Sequence, residues 1–222
     1  KAEFYAEWAV RETGFGVVEH KTQKNLATSV GLTDFYKGQS FAGYEIDHDL
    51  KVVKFARPAG VVLGLVPCTN PVATIYYKVL ISLMTRNALV VCPHPAAKEC
   101  CVHAADYLLE VAERAGAPKG VVQVVRAPSI EVVGAMMKSD LVNVILATGG
   151  PAMVRAAYSS GNPALGVGAG NPPHYVDVTA DSVKTAEDII VSCTFDNNLL
   201  CASESVVLAH EGIADDLFAA MQ

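Results

Sequence analysis

Gly60-Val61-Val62-Leu63-Gly64-Leu65-Val66-Pro67-Cys68-Thr69-Asn70-Pro71 is the stretch whose reading decides the fold. Val61 to Val66 is a short, wholly apolar run with no polar alternation. Such a run suits a strand covered on both faces, as in the middle of a parallel sheet. Pro67 to Pro71 turns the chain, and Val72 to Thr85 continues as a helix. The same unit then recurs. Ala88 to Val91 reads as a strand and Ala96 to Ala115 as a helix, stopped by Gly116. Val121 to Val125 is a third strand, followed by a helix from Ser129 to Lys138 that Ser129 and Glu131 are placed to cap. Val142 to Leu146 runs through Ala147-Thr148-Gly149-Gly150-Pro151 into a fourth helix ending near Tyr158. Four β–α units predict an α/β fold: a doubly wound, mostly parallel sheet with ligands at the C-terminal ends of its strands.

Upstream, Lys1 to Glu12 reads as a helix with Phe4, Trp8 and Arg11 at helical spacing, ended by Gly14 and Gly16. Glu19 to Tyr36 reads as a second helix with Leu26, Val30 and Phe35 as core contacts. Phe41 to Ile46 and Val52 to Phe55 flank Asp47-His48-Asp49 and predict a hairpin, ended by Arg57-Pro58. Both of its faces are partly apolar, which points to self-association. Downstream, Ala164 to Asn171 is glycine-rich and Tyr175 to Val178 returns as a strand. A domain boundary is placed near residue 170. Residues 1–170, with the hairpin at 41–57, form one domain; residues 171–222 begin a second that is expected to be incomplete.

That second part carries Thr194-Phe195-Asp196-Asn197-Asn198-Leu199-Leu200-Cys201-Ala202-Ser203-Glu204. Cys201 lies between a helix-like run (Asp181 to Cys193) and a strand-like run (Glu204 to His210). A thiol at the mouth of an element can reach a substrate, and its own N–H can face an oxyanion there. Cys201 is therefore read as a nucleophile; a buried free cysteine is the alternative. Glu211 to Met221 reads as a last short helix.

Composition narrows the function. The chain has 222 residues, 51 % hydrophobic and 18 % charged, with a net charge of −6. No basic cluster suggests nucleic acid, and no apolar run reaches the ~18 residues needed to span a bilayer. No signal peptide is expected from these residues. The six cysteines include no CxxC pair, which argues against a metal site and for reduced thiols in the cytoplasm.

Six stretches in order resemble the aldehyde dehydrogenase superfamily, and within it the CoA-acylating branch, including the aldehyde dehydrogenase half of bifunctional aldehyde-alcohol dehydrogenases. They are Val66-Pro67-Cys68-Thr69-Asn70-Pro71, Ser82-Leu83-Met84-Thr85-Arg86-Asn87-Ala88, Pro93-His94-Pro95, Ile145-Leu146-Ala147-Thr148-Gly149-Gly150, Gly166-Val167-Gly168-Ala169-Gly170-Asn171 and the Cys201 loop. The resemblance implies an oxidoreductase that turns an aldehyde, CoA and NAD or NADP into acyl-CoA through a thioacyl intermediate on Cys201. It assigns Asn70 to the oxyanion, a donor whose loss typically costs about 3 kcal/mol of barrier; the alternative is an Asn that stabilises the turn before Pro71. It puts the nicotinamide cofactor against Pro67, Thr69, His94, Pro95, Thr148, Gly149, Gly150, Val167 and Gly168. Gly149 and Gly150 allow a pyrophosphate to approach the backbone at a helix N-terminus; a tight turn without ligand is the other reading. His94 lines the nucleotide or CoA channel or packs at a strand end. The segment Gly166 to Gly170 is read as a strand near the nicotinamide end.

Departures from the family pattern sharpen this reading. Val167 stands where hydrolytic relatives carry a glutamate base that activates water, so the thioester is left for an external thiol. Cys92 and Pro95 replace a Lys and a Glu that hold the adenosine ribose, which leaves NAD against NADP open. Acetaldehyde, propionaldehyde, succinate semialdehyde and sulfoacetaldehyde all stay possible. The rival readings are a hydrolytic aldehyde dehydrogenase and a non-catalytic nucleotide-binding or assembly subunit. His174 and Glu204 lie near the site elements, and Glu204 is not taken as a base.

Overall fold

A computed structural model describes residues 1–222. Its centre is a five-stranded parallel sheet built from β3 (Val61–Val66), β4 (Ala88–Pro93), β5 (Val122–Val124), β6 (Val144–Thr148) and β7 (Ala164–Val167). The strand order is β5-β4-β3-β6-β7, so the winding reverses between β3 and β6. The helices α4 (Pro71–Met84) and α5 (Lys98–Arg114) connect strands on one side of that point. Helices α6 (Ile130–Met137) and α7 (Pro151–Tyr158) serve the other. Alternate residues of one strand feed two cores, as the period of two requires. Val62 and Val66 join Ile75, Val79 and Ala104 on one face. Leu63 and Leu65 join Val133, Met137 and Ala157 on the other.

The four expected β–α units are present with shifted ends. The fourth strand starts at Val144 rather than Val142, and α5 is preceded by a 3₁₀ turn at Pro95–Ala97. The glycine-rich segment is a strand only as far as Val167, and the following strand, β8, runs Pro173–Val176. β8 pairs in parallel with β9 (Val206–Ala209). Helices α8 (Ser182–Thr194) and α9 (Glu211–Ala220) cover this pair through Val176, Ala186, Ile189, Ile213 and Leu217.

The N-terminal helices correct two expectations. In α1 (Ala2–Thr13) the buried face is Tyr5, Ala6 and Ala9, while Phe4 is exposed. Tyr5 is wholly buried because its hydroxyl reaches His103 Nδ1 at 2.9 Å, which lets the ring pack on α5. Glu12 extends the same docking: its carboxylate accepts the Glu99 and Cys100 N–H groups, both at 2.8 Å, at the start of α5. The single helix expected over 19–36 is α2 (Val18–Leu26), a π-helical turn (Ala27–Gly31) and α3 (Leu32–Phe35). Leu26, Val30 and Phe35, expected in the core, are exposed. The buried side chains of α2 are instead Lys21, Lys24 and Asn25, because that helix faces polar partners. The hairpin is β1 (Gly43–Asp47) and β2 (Val52–Ala56), with Tyr44, Ile46, Val53 and Phe55 exposed.

One buried cation ties helix to sheet. Lys78 of α4 is 2 % exposed, and its ammonium donates to Leu65 O and Leu146 O, one on each side of the point where the winding reverses. Gly64 makes room for it: a Cβ there would lie 3.2 Å from Lys78 Cδ and 3.1 Å from Leu89 Cδ1. Burial pushes the Lys78 ammonium down to about 7 from 10.5. The unfolded chain therefore binds more protons between pH 7 and 10.5, and stability rises with pH across that window. Lys78→Met is expected to remove this rise, which is at most about 1.4 kcal/mol per pH unit. Urea unfolding of the protein and the variant at pH 7 and pH 9 measures it.

Candidate active site

Residues at the C-terminal ends of β3, β4 and β6 surround a cleft of about 1220 Å³. Its place follows from the winding: where strand order reverses, the loops after neighbouring strands diverge and leave a crevice. The lining brings together Pro67, Thr69, Asn70, His94, Pro95, Thr148, Gly149, Gly150, Gly168 and Cys201. Val167 is not part of it. Along β7, Gly166 faces Val154 and Tyr158 of α7, so Val167 points to the opposite, exposed face.

Asn70 is the N-cap residue of α4, yet its side chain makes no capping bond. Its Oδ1 accepts a short hydrogen bond from Lys24 Nζ, and its Nδ2 donates to Leu199 O at 2.8 Å. The amide thus joins α2 to the Cys201 loop rather than only steadying a turn. His94 is exposed, and its Nδ1 accepts the Ala96 N–H at 3.1 Å, capping the 3₁₀ turn; it does not pack in the core.

The loop carrying Cys201 is built on unusual backbone. Asp196, Asn197 and Asn198 all have positive φ, at 50°, 55° and 59°. Left-handed conformation costs roughly 1–2 kcal/mol per residue, least for Asp and Asn. Asp196 holds it in place. It is fully buried; Oδ1 accepts the Val17 N–H at 2.7 Å, and Oδ2 pairs with both Lys21 (3.1 Å) and Lys24. Its own N–H donates to His20 Nδ1 at 2.8 Å, and the His20 ring stacks on Phe195 at 4.5 Å. Burial alone would raise the Asp196 carboxyl; the Lys24 hydrogen bond, the Val17 N–H and the two ammonium charges outweigh it and hold it below its usual range. Burial lowers Lys24, against the bond to Asp196, which raises it. Gly16 has to be glycine, since φ is 82° and a Cβ would lie 2.2 Å from Asp196 Oδ1.

Beyond the left-handed turn, Ser203 N–H donates to Leu200 O at 3.0 Å and closes a turn with Cys201 on its outside. Gly170 passes directly beneath: a Cβ there would fall 1.7 Å from Cys201 O. That is the close approach the glycine-rich segment provides, made to the cysteine loop. Among six free cysteines, Cys201 alone is exposed. Cys68 is partly buried against the core and also lines the cleft. Cys92 is buried and its thiol is pushed up to about 11, which keeps it protonated. Cys193 donates to Glu204 O at 3.2 Å. Glu204 itself accepts a short bond from Ser192 Oγ and lies 3.7 Å from His174 Nδ1, away from the cleft lining.

At the other end of the cleft, Gly149 and Gly150 precede Pro151, the first residue of α7. A Cβ on Gly150 would meet nothing within 4 Å, so the backbone is open to an approaching phosphate. Lys21, Lys24, Asp196 and His20 are the residues that reading the sequence missed. The partner of α2 lies more than 170 residues away, so no local spacing marks it. The one available signal was Asp196-Asn197-Asn198, three residues in a row of types that tolerate positive φ.

Comparison with known proteins follows this geometry. The profile described as Aldehyde dehydrogenase family matches residues 1–222. The chain belongs to the aldehyde dehydrogenase family. It is 45 % identical over 211 residues to the bifunctional aldehyde-alcohol dehydrogenase AdhE of Escherichia coli K12, covering 95 % of this chain and 24 % of that protein. The crystal structure of an acetylating aldehyde dehydrogenase from Geobacillus thermoglucosidasius superposes with a TM-score of 0.93 at 44 % identity, covering 99 % of this chain and 49 % of that one. A propionaldehyde dehydrogenase from Rhodopseudomonas palustris, solved with bound CoA and an acylated cysteine, has a TM-score of 0.85 at 36 % identity, with coverage of 99 % and 49 %. The chain thus spans about a quarter of the bifunctional relative and half of the single-function ones. The doubly wound sheet is part of the fold that the chain shares with these two solved structures.

The Asp196 node makes a measurable prediction. Asp196→Ala leaves Lys21 and Lys24 buried without their counter-charge, which is expected to cost about 3–5 kcal/mol. Urea unfolding measures the loss, and limited proteolysis should show new cleavage within residues 194–203.

Proposed function

We propose that the protein carrying this chain converts an aldehyde, CoA and NAD(P)⁺ into acyl-CoA, NAD(P)H and a proton, reversibly, through a thioester on Cys201. The observation that carries this reading is that the one exposed thiol and the Asn70 amide line the same cleft, to which the chain contributes no Asp or Glu. Cys201 Sγ forms a bond to the carbonyl carbon, and the carbonyl oxygen gains the charge. An Asn70 amide proton and the Cys201 N–H receive that oxygen; each such donor typically contributes about 3 kcal/mol to lowering the barrier. A bound nicotinamide cofactor supplies the acceptor for the two electrons of the aldehyde C–H bond. The acyl group is left on Cys201. The chain's cleft lining holds no carboxylate to take a proton from water, and His94 Nδ1 is engaged with the Ala96 N–H. In this reading the thioester persists until the CoA sulfur attacks its carbonyl carbon and Cys201 leaves as thiolate.

The lining fits the cofactor and the thiol substrate. Gly149 and Gly150, ahead of α7, would take a pyrophosphate on open backbone. Pro67, Thr69, His94, Pro95 and Gly168 would border the nucleotide. Val167, on the exposed face of β7, is not assigned a contact. The bound CoA and acylated cysteine of the Rhodopseudomonas relative support the same chemistry in a chain of this fold.

Three further readings belong with this proposal. Residues 1–170 act as the nucleotide-binding domain and 171–222 begin the catalytic one, consistent with separate cores around the two sheets. The exposed apolar hairpin β1–β2 serves self-association into a homo-oligomer. The six free thiols fit a cytoplasmic setting, and no helix is long and apolar enough to cross a membrane.

The test is an assay of the whole protein with acetaldehyde, propionaldehyde, succinate semialdehyde and sulfoacetaldehyde, each with NAD or NADP, with and without CoA. Reduced cofactor should form at a sustained rate only with CoA, and Cys201→Ala should abolish it. Equal rates of free-acid formation without CoA would contradict the proposal.

A further inference from the structure

Lys24 is 8 % exposed and sits one helical turn from Lys21 on α2. The two lysines grip adjacent residues of the turn after β3: Lys21 Nζ donates to Thr69 O at 2.6 Å, and Lys24 Nζ donates to Asn70 Oδ1. Both also reach Asp196 Oδ2, which holds them in place. Asn70 is thus caught between Lys24 on its oxygen and Leu199 O on its nitrogen.

Those partners have opposite and unambiguous chemistry. An ammonium can only donate, and a backbone carbonyl can only accept. One of the two amide orientations satisfies both. The flipped one would set NH₂ against a cation and oxygen against oxygen. The bond to Lys24 is charge-assisted, roughly twice as strong as a neutral one. The amide therefore keeps its NH₂ group toward the Leu199–Cys201 loop. Nδ2 donates to Leu199 O at 2.8 Å and, more weakly, to Thr69 Oγ1 at 3.4 Å; the longer bond is the one exchanged for an oxygen on a carbon bonded to Cys201.

We propose that Lys24 is a positioning residue: by occupying Asn70 Oδ1 it locks the amide with its protons facing the acyl group on Cys201. The inference rests on the role proposed above for Cys201 and Asn70. Lys24 lines the cleft near Cys201, but its ammonium is bonded to Asn70 Oδ1 and Asp196 Oδ2. Removing it leaves the loop anchored, because Asp196 keeps Lys21 and the Val17 N–H.

Two reagents applied to the whole protein separate orientation from structure, and neither needs CoA or a nicotinamide. p-Nitrophenyl acetate acylates a thiol through an oxyanion. Iodoacetamide alkylates it with none. Wild type should give a burst of p-nitrophenolate that Cys201→Ala abolishes. Lys24→Met should slow the burst about 100- to 1,000-fold, near the effect of Asn70→Ala, as expected for loss of one oxyanion donor. Alkylation of Cys201 should stay within threefold of wild type, and Lys24→Met added to Asn70→Ala should cost less than threefold more. Lys24→Gln, which retains an N–H donor for Oδ1, should acylate within tenfold of wild type, and it serves as the test if Lys24→Met does not fold. Acylation unchanged in Lys24→Met, alkylation slowed as much as acylation, or Lys24→Gln as slow as Asn70→Ala would each overturn the positioning role. A wild-type protein with no Cys201-dependent burst would instead overturn the proposed nucleophile, and this inference with it.

Discussion

A single buried carboxylate holds the site together. Asp196 has no exposed surface and draws on two ammonium groups and a backbone N–H, all from α2 and the residue before it. Two cations and one anion in a buried pocket are a poor source of stability, because desolvating charge offsets most of the attraction. What the arrangement provides is specificity of place. Three consecutive left-handed residues would not persist in an exposed loop, and the ionic node over-determines them. The route of the chain into Leu199, Leu200 and Cys201 depends on that constraint.

The same node reaches the other half of the cleft. Lys21 and Lys24 bind Asp196 and also the Thr69 carbonyl and Asn70 amide, so α2 acts as a rigid jig between the turn after β3 and the cysteine loop. Gly16 and Gly170 are the clearances that let the pieces close. One admits the Asp196 carboxylate, the other the Cys201 carbonyl. Beneath them Lys78 links the ends of β3 and β6 through two carbonyls where the crevice opens. The cleft is framed by polar contacts that cross between elements, while the apolar cores on either side of the sheet keep the strands in register.

This division suits the chemistry proposed. A thioester that must outlast water and yield to a larger thiol needs a fixed oxyanion site and no base nearby. In that proposal the Asn70 amide and backbone groups of the cysteine loop would supply the oxyanion site. Exposure sets Cys201 apart from its five companions, which are buried or half-buried.

Much of the architecture was legible from residue order. Apolar runs of four to six residues alternating with helical stretches determine strands and helices, and Asn70, Cys201 and the glycine pairs stand where turns between them must open. Local rules suffice there because side-chain period and turn chemistry act over a few residues. They fail on α2. Leu26, Val30 and Phe35 look like a core face, yet Lys21, Lys24 and Asn25 are the ones buried. A buried lysine is stable only where a distant carboxylate and carbonyl meet it, and no spacing within the helix encodes that partner. The direction of Val167 was likewise decided by the fold, since α7 takes Gly166 and pleat alternation turns its neighbour outward. Sequence alone determined which chemistry-bearing residues the chain has and which elements carry them. Tertiary structure decided which of them meet, because long-range ion pairing and packing clearances exist only once the chain has closed on itself.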